Sequence, residues 1–65
     1  MNITEILIFA KILAAVSGDR TVMVTSVEKK IAADVLRRMA DQRFNWTQAQ
    51  REQYKMLVDV VEQIQ

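Results

Sequence analysis

Apolar and polar positions fall into three blocks with a helical period, joined by two short connections. The first block, Ile3–Val16, is the least polar stretch of the chain, with only Thr4, Glu5 and Lys11 as polar side chains. Projected at about 100° per residue, it has two apolar faces. Ile3, Ile6, Leu7, Ala10, Leu13 and Ala14 form one, and Ile8, Phe9, Ile12 and Val16 the other. In the second block Val27, Ile31, Ala32, Val35, Leu36 and Met39 share an arc, opposite Lys30, Asp34, Arg37, Arg38 and Asp41. Its i,i+4 pairs Lys30/Asp34, Asp34/Arg38 and Arg37/Asp41 are each worth about 0.2–0.5 kcal/mol and read as a solvated face. The third block sets Tyr54, Met56, Leu57, Val58, Val60, Val61 and Ile64 against Arg51, Glu52, Lys55, Asp59 and Glu62. Its apolar arc of about 200° is wide enough for two neighbouring helices.

Each block opens on the same start signal. Asn2-Ile3-Thr4-Glu5, Thr25-Ser26-Val27-Glu28 and Thr47-Gln48-Ala49-Gln50 all have capping-box spacing. In that box the first side chain accepts from an orphan backbone N–H, and the fourth reaches back to the cap residue. The expected helices cover about 3–17, 26–42 and 48–64, an all-α fold with residues 1–65 as a single three-helix domain. Gly18 suits a left-handed C-terminal cap, with Asp19 opening a turn. Trp46 precedes the cap Thr47, where an apolar side chain packs down to fix the entry angle of the helix. Between the first two helices Thr21-Val22-Met23-Val24-Thr25 alternates with period two. An extended linker is the favoured reading, and a strand the alternative.

One apolar face on the first helix suffices for a monomeric three-helix domain, so the second is surplus. Burying a large apolar side chain is worth about 1.5–3 kcal/mol, so Ile8, Phe9, Ile12 and Val16 represent about 6–12 kcal/mol. A small domain has a total stability of about 5–15 kcal/mol. Leaving such a face in water is therefore implausible. The expectation is a symmetric homodimer or higher oligomer around helix 1, with Ile8, Phe9, Ile12, Val16 and Val60 at its interface.

Composition narrows the remaining choices. The chain has 65 residues, with no Cys, no His, no Pro and one Gly. Disulfides, the common zinc sites, thiol nucleophiles and imidazole catalysis are thereby excluded. So small a domain needs outside support, and association is the kind left. Nine basic and eight acidic residues give a net charge of +1, too balanced for nucleic-acid binding by bulk electrostatics. The first block has the length of a signal-peptide core, and Ala15-Val16-Ser17 resembles a cleavage site. Glu5 in place of a basic leader and Lys11 within the core argue against that reading. A helix of about 21 Å is also too short to span a bilayer. A cytoplasmic protein without a membrane role is expected, which leaves the sequon Asn45-Trp46-Thr47 without weight.

There is no glycine-rich phosphate loop, nucleophile elbow, paired-carboxylate signature or metal-ligand cluster, so neither an enzyme nor a cofactor is expected. Two constellations stand out. Arg37, Arg38, Arg43 and Arg51 cluster in sequence with Phe44 and Trp46. Guanidinium forks suit phosphates and aromatic faces suit bases, so a nucleotide-binding sponge is one alternative reading of this ligand or partner patch. The other is Arg20-Thr21-Val22-Met23-Val24-Thr25 followed by two helices over residues 20–64. This order of elements resembles the ribbon-helix-helix family of dimeric DNA-binding regulators. The resemblance implies a ribbon paired across a dimer, with either Thr21, Met23 and Thr25 or Arg20, Val22 and Val24 facing the major groove. The reading favoured over both is a small non-enzymatic interaction or regulatory module, such as an adaptor or inhibitor. It would act as a homo-oligomer that binds another protein.

Overall fold

The computed structural model describes residues 1–64. It is all-helical, with α1 at Ile3–Val16, α2 at Ser26–Ala40 and α3 at Gln48–Gln63. All three capping boxes form: Asn2 with Glu5, Thr25 with Glu28, and Thr47 with Gln50. Each satisfies two backbone N–H groups that would otherwise lack partners. The observed helices end one or two residues before the expected bounds, and α2 stops at Ala40 because 41–42 form a turn leading into a short 3₁₀ segment, Arg43–Asn45.

Gly18 terminates α1 with φ +101°. Its N–H donates to the Ala15 carbonyl at 3.1 Å, and the Asp19 N–H to the Ala14 carbonyl at 3.0 Å. Paired reverse bonds of this kind close a helix when the residue after the cap can turn left-handed, which glycine does without strain. Asp19 then accepts from the Thr21 N–H at 2.9 Å and the Thr21 hydroxyl at 2.6 Å. That turn launches an extended linker in which Val24 packs on the core while Met23 points outward. Among the described residues there is no strand, so the structure lends the ribbon-helix-helix reading no support.

Each helix contacts both others. The core consists of Ile8, Phe9 and Ile12 from α1, Ala32, Val35 and Leu36 from α2, and Val61 from α3. Val16, Ile31, Met39, Tyr54, Leu57, Val58 and Val60 pack around it. The face of α1 expected at an oligomer interface is therefore its inward face. Ile12 has no exposed surface at all, and Val16 and Val60 are half-buried against the same cluster.

Two ion pairs accompany this rotation of α1. Glu5 lies on the inward face and pairs with Arg38 of α2. Lys11, two turns later, donates to both Glu28 oxygens at 2.8 and 2.7 Å. These contacts tie the first turn of α1 to the last turn of an antiparallel α2, and the middle of α1 to the first turn of α2. Turning α1 over would break both pairs and put Ala10 and Ala14 where Phe9 and Ile12 now fill space. Arg38 thus reaches Glu5 instead of Asp34. The other expected pairs on α2 give way to one exposed contact, Arg37 with Asp34 at 3.4 Å. Val27 and Met56, expected on inward arcs, face solvent.

The molecule measures 37 × 20 × 19 Å, with a radius of gyration of 12.0 Å. A compact chain of this length has a radius of about 10.7 Å. The bundle is thus elongated along one axis.

Candidate functional site

Two surfaces are candidates. The first is the outer face of α1. Ile3 is 74% exposed, Leu7 60%, Ile6 50% and Leu13 47%, and Ala10 is also exposed. These side chains, with half-buried Ala14, form one stripe along the helix that contains no charged residue. Exposed Met1 precedes it in sequence. Scattered apolar side chains are normal on a surface, but a contiguous stripe marks a binding face.

The second surface is the corner between the 3₁₀ segment and the first turns of α3. Arg43, Phe44, Trp46, Arg51, Tyr54 and Lys55 line a shallow cavity of about 340 Å³ there. The Trp46 and Tyr54 rings lie with centroids 5.0 Å apart, inclined at 47°. Trp46 thus packs over the second turn of α3, farther along than an entry-angle contact reaches. The Arg43 guanidinium sits 4.7 Å from the centroid of Phe44 and donates to the Ala40 carbonyl at 2.9 Å.

The six residues read as one patch divide between two places. Arg43, Phe44, Trp46 and Arg51 meet at this corner. Arg37 and Arg38 lie on another side of α2, in a cleft shared with Glu5, Asp34 and Asp41. Their charge is offset there by carboxylates, so that cleft is a poor anion site. Sequence reading missed Tyr54 and Lys55 as members of the corner. The i,i+4 spacing of Arg51 and Lys55 was the available signal.

Three carboxyls have pKa values below the ordinary range. Glu5 is held down first by the Asn2 backbone N–H and then by Arg38. Lys11, followed by the Thr25 backbone N–H, does the same for Glu28. Asp19 is lowered by the Thr21 hydroxyl and N–H. All three stay ionised at neutral pH and serve structure. Among the described residues no group of acidic side chains is placed to hold a metal ion, and no helix is long and apolar enough to cross a membrane.

Fold and surfaces together define a small three-helix protein with one bare apolar helix face and one cationic aromatic corner. The chain matches no protein-family model, no curated protein and no solved structure.

Proposed function

We propose that this chain is a non-enzymatic protein-interaction module of the cytoplasm that works as a weak, reversible homodimer. The outer face of α1 packs on the same face of a second copy. The observation that carries this reading is the uncharged stripe Ile3, Ile6, Leu7, Ala10 and Leu13, left in water by a bundle that has already filled its core.

The stripe is self-complementary about Ala10. With two helices antiparallel across a two-fold axis at that residue, Leu7 opposes Leu13 and Ile6 opposes Ala14, while the alanines let the backbones approach. Closed two-fold pairing is the commonest solution for a surface of this kind. The exposed parts of Ile3, Ile6, Leu7 and Leu13 carry about 3.5–7 kcal/mol per protomer at the usual value of a buried side chain, and so about 7–14 kcal/mol across the dimer. Association costs about 4–15 kcal/mol. The two are close, and one helix face covers less than the usual ~800 Å² per partner. A dissociation constant in the micromolar range or weaker follows, as suits a regulator whose assembly tracks its concentration.

Sedimentation equilibrium across micromolar to millimolar protein tests this, with a monomer–dimer equilibrium as the expected result. A single monomeric species up to about 1 mM, where association is worth only about 4 kcal/mol, would overturn it.

A further inference from the structure

The aromatic corner is chemically unlike the rest of the surface. Half of its lining residues are cations and none is a carboxylate. The ion pairs of the described residues involve Lys11, Arg37 and Arg38, so none of them neutralises Arg43, Arg51 or Lys55. Phe44 is 80% exposed, a large aromatic left bare beside three positive charges. The only Trp and the only Tyr of the chain form the floor. Trp, Tyr and Arg are the residue types that dominate protein-binding hot spots.

We propose that this corner binds a short acidic segment of a partner protein through one large apolar anchor side chain. The anchor rests on Phe44, Trp46 and Tyr54, and carboxylates on either side of it meet Arg43, Arg51 and Lys55. The cavity of about 340 Å³ is at the small end of the roughly 300–1,000 Å³ typical of ligand sites, which fits a single side chain. A nucleobase would find a stacking surface here, but only the Tyr54 hydroxyl and the Trp46 indole N–H beyond the cations to read its edge. A long polyanion would run from the corner along α3 onto Glu52, Asp59 and Glu62, in a chain of net charge +1. A compact acidic segment avoids both problems. The proposal is independent of self-association, because the corner and the outer face of α1 share no residue.

Trp46 is the sole tryptophan, so its emission and its indole N–H resonance report on the corner directly. The probe is a synthetic peptide with one leucine flanked on both sides by glutamates. The comparison arms are the same peptide with serine for leucine, a single-stranded oligothymidylate, and AMP. A saturable change with the leucine peptide is expected, weakened by salt and about tenfold weaker for the serine peptide. Arg51→Gln and Lys55→Gln should each weaken it by about tenfold, the loss typical of a contributing contact. Both positions are exposed, so circular dichroism should be unchanged, and Leu7→Gln should leave peptide binding intact. The absence of a saturable change up to millimolar peptide would overturn the proposal. So would equal binding of the serine peptide, tighter binding of the oligonucleotide or AMP, or indifference to Arg51→Gln.

Discussion

Leu7→Gln separates the two faces of α1 in a single substitution. Leu7 is 60% exposed and lies mid-stripe, and glutamine has nearly the helix propensity of leucine. The folded monomer should therefore lose no more than about 0.5 kcal/mol, the usual scale for a surface substitution. In the dimer the same change strikes twice, once in each protomer. The exposed part of one leucine is worth about 0.9–1.8 kcal/mol, so the dimer loses about 1.8–3.6 kcal/mol. At tenfold per 1.4 kcal/mol, the dissociation constant should rise by about 20- to 400-fold. Sedimentation equilibrium reads that change, and thermal melts in dilute solution read monomer stability. Ile12→Ala is the opposite control, because Ile12 is wholly buried and its truncation should cost about 2–5 kcal/mol of folding stability. Two outcomes would refute the reasoning. Unchanged association in Leu7→Gln would remove the stripe from the interface. A melt as depressed as that of Ile12→Ala would mean that α1 packs with Leu7 inward.

Other predictions follow from local chemistry. Gly18→Ala meets nothing within 4 Å, so only the φ of +101° opposes it; a loss of about 1–2 kcal/mol is expected in denaturant melts. Thr47→Ala removes the acceptor for the Gln50 N–H and should cost about 1 kcal/mol by the same measurement. Glu5 and Glu28 titrate below their ordinary 4.5 in the folded chain. Their contribution is therefore complete above that value and is lost as pH falls through the lowered pKa values. The melting temperature should hold from pH 7 to about 5 and then fall, and Glu5→Gln with Glu28→Gln should flatten that fall. An equally steep acid limb in the double variant would assign the loss to other groups.

How far the sequence could be read depended on the range of the interactions involved. The helix starts were legible because a capping box is complete within four residues, and Asn2-x-x-Glu5, Thr25-x-x-Glu28 and Thr47-x-x-Gln50 all close as written. The Gly18 stop was legible for the same reason. At the corner, Arg43, Trp46 and Arg51 are close in sequence and do meet. Arg37 and Arg38 precede the turn and point elsewhere, so counting along the chain could not place them.

The facing of α1 was a different problem, because hydrophobicity does not distinguish two sides that are both apolar. Besides the greater bulk of Phe9 and Ile12 over Ala10 and Ala14, a signal lay in its two charged residues. Glu5 sits amid Ile8, Phe9, Ile12 and Val16 on the helical wheel, and a carboxylate on a buried face requires a cation from a neighbouring helix. Lys11, beside that face, requires an anion. Arg38 and Glu28 supply them from α2 in the reversed order of an antiparallel pair. Taken as mere capping and interruption, Glu5 and Lys11 carried no information about rotation. Taken as charges in need of partners, they agree with the inward face, which leaves the surplus on Ile3, Ile6, Leu7 and Leu13. Two apolar faces therefore exist on α1, and the rest of the chain covers only the one that carries Phe9, Ile12 and the paired Glu5.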